Sequence, residues 1–324
     1  MKILIIRFSS IGDIVLTTPI IRCLKQQLKG VEIHYLTKKK FNNILCSNPN
    51  IDKLHLFDQN YLTTITQLRA EKFDVIIDLH QNLRTKIIGI GLFVKLYSFD
   101  KLNWQKWLLV NFKIRRMPDL HIVDRYFAAC KPLGILNDGK GLDYFFNEIY
   151  QLTNLLPQSH QQYIGLVIGG QHTTKKLPKE KIIELCIKIN KPIVLLGGNE
   201  DALEGDEIAR NSSSNVFNAC GKFSLDQSAY LVKMASQIIT HDTGLMHIAA
   251  AFNKTIISVW GNTVPEFGMY PYKVTNSVFA EVNNLHCRPC SKIGYKKCPL
   301  GHFKCMNEIN MSFIGEKSLE FETI

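Results

Sequence analysis

The chain has 324 residues, 46% of them hydrophobic and 21% charged, which excludes a disordered polymer and is enough chain for two cores rather than one. No apolar run reaches the roughly 20 residues that span a bilayer, and the opening MKILIIRFSS lacks the longer apolar region and cleavage site of a secretory leader, so the expectation is a cytoplasmic protein. A formal charge of +11 points to an anionic partner (nucleic acid, an acidic membrane surface or a phosphorylated substrate) or to solubility alone.

Apolar runs of strand length alternate with stretches of helical period along almost the whole chain. Ile3–Ile6 reads as the first strand, and Ile20, Ile21, Leu24 and Leu28 follow at helical spacing. Val31–Leu36, Leu54–Phe57 and Val75–Leu79 continue the series. In the second half the strands are Ile164–Ile168, Ile193–Leu196, Ile238–Thr240 and Thr255–Trp260, with helical patterns at Lys179–Ile189, Leu225–Ala235 and Leu245–Phe252. Such alternation predicts βαβ units and mainly parallel sheets covered on both faces. The pattern breaks between about Asn137 and Gln162, where turn formers dominate. The domain boundary is therefore expected near residue 160, giving an α/β protein of two doubly wound domains, 1–160 and 161–324. Ligands bind such sheets at the carboxyl ends of the strands.

The first strand ends in Arg7-Phe8-Ser9-Ser10-Ile11-Gly12-Asp13. Gly12 permits a tight turn, and Ser9, Ser10 and Asp13 bring polar groups to the strand's carboxyl end. A helix starts at Asp13 or at Thr18, with Pro19 suited to a first helical position. From these residues alone Asp13 reads as a helix cap or as a carboxylate placed to accept a proton. In the second half, Ile238–Thr240 ends in His241-Asp242-Thr243-Gly244-Leu245-Met246-His247 before a further helix. The free N–H groups around Thr243 and Gly244 would suit a diphosphate, although Asp-Thr-Gly is also an ordinary N-cap.

Together these stretches resemble glycosyltransferase family 9, the ADP-heptose:lipopolysaccharide heptosyltransferases. The run ILIIRFSSIGDIVLTTPIIRCLK resembles the family's opening, and ITHDTGLMHIAAAFNKTIISVWGNT resembles its Asp-Thr-Gly-x-x-His signature. The resemblance covers nearly the whole chain and implies the GT-B architecture, two Rossmann-like domains facing each other across a cleft. It implies inverting transfer of heptose from ADP-heptose to a lipopolysaccharide core acceptor, with Asp13 as catalytic base. Asp242 would contact the donor sugar, while Thr243 and Gly244 would hold the diphosphate. His247, one turn on, reaches the donor or packs in the core.

After Gly169-Gly170, the segment Gln171–Pro178 resembles the family's Lys-x-Trp/Leu-Pro element. It implies Lys175 against the diphosphate, Thr173 and Thr174 as hydroxyl donors, and Lys176 as a solvated neighbour. Glu200, in the turn Gly197–Asp201, is the carboxylate expected at the ribose. Phe223, in a stretch matching the one that borders the adenine, packs on the base or in the core.

On the acceptor side, Asp78–Arg84 resembles the family's Asp-Leu-x-x-x-x-Arg element, and His121–Tyr126 its His-x-Val-Asp-Arg-Tyr element. Arg84 and Arg125, with Ser10, are candidate acceptor contacts, since guanidinium pairs bidentately with carboxylates and phosphates. Arg125 paired with Asp124 is the competing reading. The segment Lys101–Arg116 carries two of the three tryptophans among three lysines and two arginines. It suits peripheral contact with an anionic inner-membrane surface or glycolipid, or else a helix burying Trp104, Trp107 and Leu108 in the first domain.

Of nine cysteines, Cys23, Cys46, Cys130, Cys186 and Cys220 are scattered. Cys287, Cys290, Cys298 and Cys305 form C-x2-C-x7-C-x6-C beside His286 and His302, a spacing open to a structural zinc or to packed reduced thiols. The family resemblance implies that no cofactor is required for catalysis. Two rivals stand: a GT-B transferase using another nucleotide sugar, and a zinc-knuckle nucleic-acid binder. The second leaves two phosphate-suited strand turns unexplained and has no recognisable nucleic-acid motif, so nucleic acid is not expected as a partner.

Overall fold

The computed structural model describes residues 1–212 and 215–321. The chain divides into two compact units, Met1–Lys101 with Leu120–Asn147, and Leu102–Asp119 with Glu148–Ile324.

In the first unit, β1 (Lys2–Ile6) is followed by the short helix α1 (Ile11–Val15) and by α2 (Thr18–Gln27), with Pro19 in its first turn. Then come β2 (Glu32–Lys38), β3 (Lys53–Phe57), α3 (Tyr61–Ala70), β4 (Val75–Asp78), α4 (Leu83–Leu92) and β5 (Lys95–Ser98). Helix α5 (Asn103–Phe112) groups with the second unit, and α6 (Ile122–Cys130) with the first. The sheet order is β3-β2-β1-β4-β5, and all its pairs are parallel. The central strands β1 and β4 are almost wholly buried, as a parallel sheet covered on both faces requires. Leu4, Ile6, Phe8, Leu36, Ile76 and Ile88 lie at the heart of this core.

The second unit continues through β6 (Ile164–Val167), α7 (Lys179–Ile189), β7 (Ile193–Leu196), α8 (Ala202–Asn211), β8 (Val216–Asn218), α9 (Leu225–Met234) and β9 (Gln237–His241). It closes with α10 (Gly244–Ala251), β10 (Thr255–Trp260), β11 (Ser277–Glu281), α11 (Lys304–Asn307) and α12 (Met311–Phe321). Its six strands run in the order β11-β10-β9-β6-β7-β8, again all parallel.

Each sheet reverses its winding once. In the first, the chain lays down β1, β2 and β3 outward and then returns to place β4 on the other side of β1. In the second it lays down β6, β7 and β8, then places β9 beside β6. Loops leaving the two strands at such a reversal diverge to opposite faces and open a crevice at the carboxyl edge. The turns after β1 and β4, and those after β6 and β9, border these crevices.

Two features differ from the sequence expectation. The first unit ends at Asn147 rather than near residue 160, because the turn-rich segment is clamped onto α2. Arg22 donates to Asp138 at 2.8 and 2.9 Å, to the Gly141 carbonyl at 2.9 Å, and to Asp143. By contrast Tyr150 already hydrogen-bonds Asp226 in the second unit at 2.9 Å. The burial expected for Trp104 and Trp107 in the first domain is also corrected. They are 64% and 39% exposed and stack on each other at 4.9 Å. The residue that anchors α5 is Leu109, against Val264 and Phe267 of the second unit, with Lys113 Nζ donating to the Pro289 carbonyl at 2.7 Å.

Candidate active site

The turn after β1 folds as a reciprocal cap. Helix α1 begins at Ile11, two residues before Asp13, so Asp13 sits in its first turn with Ser10 as N-cap. The Ser10 backbone N–H and hydroxyl both donate to Asp13 Oδ2, at 3.0 and 2.8 Å. The second oxygen, Oδ1, pairs with Arg7 Nη2 at 2.5 Å. Arg7 is buried and aimed by carbonyls: its Nε donates to Ser9 O at 2.8 Å and its Nη1 to Leu79 O. Burial by itself would raise the Asp13 pKa. The Arg7 charge and the two Ser10 hydrogen bonds outweigh it and hold the group at about 2. Asp13 is therefore a cap and, near neutral pH, an ionised carboxylate at once, with its side chain 21% exposed. Nothing in the sequence singled out Arg7. A cation two residues before a Ser-Ser turn was the available signal.

The neighbouring turn after β4 is built on Asp78. Its Oδ1 accepts from the N–H groups of His80 and Gln81 at 2.9 and 2.8 Å, and its Oδ2 from the Thr85 hydroxyl at 2.7 Å. His80 packs on Phe8 at 5.3 Å, and its pKa falls to about 3 through burial and then the charges of Arg7 and Lys101. Lys101 donates to Gln81 O at 2.8 Å, and its own pKa is lowered by burial and by Arg7. Arg84 is exposed in the first turn of α4. Arg125 is 4% exposed, donates to Lys101 O at 3.4 Å, and has its pKa lowered by burial. The Asp124 carboxylate accepts from Asn137 at 3.0 Å.

In the second unit the corresponding turn follows β9. Thr243 is the N-cap of α10 in extended conformation, with no hydrogen bond from its side chain to the helix. The first N–H groups of any α-helix lack partners inside it, and here they open beside Asp242. Lys175 Nζ meets Asp242 Oδ2 at 2.6 Å, and the Thr263 hydroxyl donates to the same oxygen at 2.9 Å. The adjacent lysine has a different job. Lys176 bridges Asp201 and Glu204 at 2.7 and 2.8 Å, so it is a structural tie and not the solvated neighbour expected. Gly169 and Gly170 leave the space this needs, since a Cβ on them would meet Asp201 Oδ2 at 2.5 Å and Lys176 Cγ at 3.2 Å.

The remaining expected residues separate. Thr173 is exposed, whereas Thr174 is 2% exposed. The Thr174 hydroxyl both donates to and accepts from the Tyr295 backbone, at 3.1 and 2.8 Å, which corrects its expected role as a free hydroxyl donor. Glu200 is exposed after β7, while Asp201 caps the same turn through Gly198 N–H at 2.9 Å. Phe223 is half-buried just before the Ser224 N-cap of α9. His247 is 2% exposed on α10, which matches packing rather than reach. His241 is buried too; its Nε2 accepts from Leu177 N–H at 2.9 Å, and burial drives its pKa down to about 3. Thr263 and Asn262 were not foreseen. Both are 1% exposed at the end of β10, and both amide atoms of Asn262 are without a partner among the described residues.

All nine cysteines are free thiols. Cys287 Sγ lies 3.8 Å from His302 Nε2. Burial raises Cys305 to about 12, with further rises from the neighbouring Cys290, Cys287 and Cys298. The four thiols thus share a region. Among the described residues, however, they do not bring three donor atoms within 4.8 Å of one another, so the geometry does not fit a formed zinc site. The one trio that does so is His34, His55 and Glu71, where His34 Nδ1 and His55 Nε2 are already hydrogen-bonded at 2.9 Å and Lys2 and Lys53 already neutralise Glu71.

The pattern of glycosyltransferase family 9 (heptosyltransferase) matches residues 62–300. Lipopolysaccharide heptosyltransferase 1 of Campylobacter coli is 29% identical over 290 residues, 81% of this chain and 84% of that protein. Lipooligosaccharide heptosyltransferase 2 of Haemophilus influenzae is 24% identical over 82% of this chain and 85% of its own. Among solved structures, E. coli ADP-heptose lps heptosyltransferase II shares the fold with a TM-score of 0.75 at 19% identity, over 99% of this chain and 98% of that one. E. coli heptosyltransferase WaaC with ADP does so with 0.72 at 19% identity, over 99% and 100%. The chain therefore belongs to glycosyltransferase family 9, the heptosyltransferases, and is a glycosyltransferase of the GT-B fold.

Proposed function

We propose that the chain transfers heptose, with inversion, from ADP-heptose to a hydroxyl of a lipopolysaccharide core acceptor, without a cofactor. The observation that carries this reading is a matched pair of aspartate–cation turns, one at the winding reversal of each sheet: Asp13 with Arg7, and Asp242 with Lys175. In a single displacement the acceptor oxygen bonds the anomeric carbon as the bond to the diphosphate breaks, and the acceptor proton passes to Asp13. A carboxylate held near pKa 2 is a weak base for an unreacted alcohol. It becomes an adequate one once the attacking oxygen carries partial positive charge, so proton transfer comes late in the displacement. Lys175 and the N–H groups at Thr243 and Gly244 offset the charge that develops on the departing ADP. Asp242 and Glu200 are assigned to sugar and ribose hydroxyls, with Thr173 and Phe223 bordering the nucleotide. Ser10, Arg84 and Arg125 are assigned to the acceptor.

The reading places the enzyme at the cytoplasmic face of the inner membrane, in peripheral contact with it. No helix among the described residues is long and apolar enough to cross a membrane. The cysteine cluster is read as packed, reduced thiols. About one zinc per purified chain by elemental analysis would replace that reading with a structural metal. The function is tested by offering the purified protein a panel of nucleotide sugars with truncated core glycolipids. Selective turnover of ADP-heptose is the expected result, and turnover of a different nucleotide sugar would reassign the donor.

A further inference from the structure

Helix α4 is apolar on two faces but buried on one. Thr85, Ile88, Gly89 and Leu92 are buried toward the unit's own core. Leu83, Ile87 and Ile90 repeat at helical spacing on the other side and are 74%, 42% and 72% exposed. The stripe ends in Phe93, which is 85% exposed. Phe93 also holds the left-handed C-cap conformation, φ 54°, where a glycine would be unstrained. A large aromatic ring thus occupies a position unfavourable for it in both backbone and solvation. Next to it, Lys86, Gly89, Ile90, Phe93, Val94 and Leu96 line one shallow apolar hollow. A helix with an apolar outer face normally meets a second apolar medium.

The charges around the stripe say which medium. Between Asp78 and Asp100 the chain contains no Asp or Glu, but it carries Arg84, Lys86 and Lys95, all exposed. Arg69 reaches in from α3, 5.4 Å above the Phe93 ring. A second copy on a two-fold axis would set these cations against themselves. Pairing of another strand along the edge strand β5 is discouraged by its exposed Lys95. Anionic headgroups above an apolar layer satisfy both halves of the surface.

We propose that the outer face of α4, with Leu83, Ile90 and Phe93 inserted and Arg84, Lys86 and Lys95 at headgroup level, docks the first unit on an anionic phospholipid surface. This deepens the peripheral-membrane reading above and rests on it, but places the contact on α4 instead of the tryptophan-bearing α5. Arg84 then stands where the lipid-facing stripe meets the turn after β4, so a glycolipid acceptor would be presented at the edge that carries Asp13.

The test is sedimentation of the full chain with extruded vesicles of phosphatidylcholine containing 30% phosphatidylglycerol, or none, at low and high salt. Binding is expected only with phosphatidylglycerol and weakens with salt. The double variant Ile90→Ser/Phe93→Ser should bind roughly tenfold or more weakly, from the apolar groups withdrawn, with ADP affinity and melting temperature near the parent's. Loss of binding confined to Trp104→Ser/Trp107→Ser would overturn the α4 proposal and keep the peripheral reading. Absence of wild-type binding to any vesicle would overturn both. A parent that is dimeric by sedimentation velocity and becomes monomeric in the α4 variant would assign the face to self-association instead.

Discussion

The two aspartate turns share a plan but differ in how their cations are held. Arg7 lies on the same short segment as Asp13, is buried, and is aimed by the carbonyls of Ser9 and Leu79 before it meets the carboxylate. Lys175 arrives from a loop on a long flexible stem, and among the described residues its ammonium meets the carboxylate and carbonyl of Asp242. A guanidinium gripped on three sides cannot leave, whereas an ammonium gripped on one can turn toward a diphosphate. On the proposed reading, the first pair sets the charge of a reacting group, and the second waits for a ligand. One motif, acid plus base at a strand end, would then serve positioning in one unit and recruitment in the other.

That contrast breaks hardest at Asp13. Replacing Asp13 with Asn preserves size and can still accept the Ser10 hydrogen bonds, yet removes the proton acceptor. Turnover should fall by about 10²–10⁴-fold with ADP affinity unchanged. Near-normal kcat in a folded Asp13→Asn protein would mean that the residue is only the helix cap its geometry also makes it.

Removing the mobile cation should act on binding. Lys175→Ala costs a charge-assisted contact to the diphosphate, about 1.5–3 kcal/mol, so calorimetry should find ADP bound roughly 10- to 150-fold more weakly. An unaltered affinity would show that Lys175 stays with Asp242 when the nucleotide arrives.

Removing the anchored cation should act on pH dependence. In Arg7→Gln the burial that raises Asp13 persists while the largest lowering influence is gone, so its pKa rises from about 2. Protonation then removes the base at a higher pH than in the parent, and the acidic limb of kcat/KM should move up in pH. Where the variant loses activity, the parent should be flat as far as Asp13 is concerned. Identical profiles would rule out Arg7 as the group that keeps Asp13 ionised.

The smallest effect on function is expected from the lysine next door. Lys176→Ala leaves the buried Asp201 without its cation and should lower stability by about 1–3 kcal/mol, read as a drop in melting temperature. ADP affinity should hold. If instead Lys176→Ala weakens ADP while Lys175→Ala does not, the two lysines have been assigned the wrong way round.

Much of this was legible in the chain. The buried strands β1, β4, β6, β7, β9 and β10 announce themselves because a parallel strand covered on both faces must be a continuous apolar run. The strands missed were β5, β8 and β11, each at the edge of its sheet. KLYS, VFN and SVFAE are short and partly exposed, so hydropathy does not mark them. The turns on which the proposed site is placed were legible to the same degree. Glycine and small polar residues after a buried strand mark both turns, and the family resemblance names Asp13, Lys175 and Asp242. Arg7, Thr263 and Asn262 were not found, because each matters through a neighbour remote in sequence or through burial.

By itself, then, the sequence determined the class of fold, the succession of the buried strands along the chain and the two turns at which the chemistry is proposed, since these follow from local patterns of burial and backbone freedom. Only the tertiary structure decided which of two adjacent lysines is a structural tie, that the threonine beside them is spent on Tyr295, that α5 belongs with the second unit, and that one face of α4 is left without cover. The first three depend on a partner far away in the chain, and the last on what the rest of the fold leaves exposed. Lys175 and Lys176 differ in nothing a composition can register, and beyond the family resemblance it is the positions of Asp242 and Asp201 around them that tell the two apart.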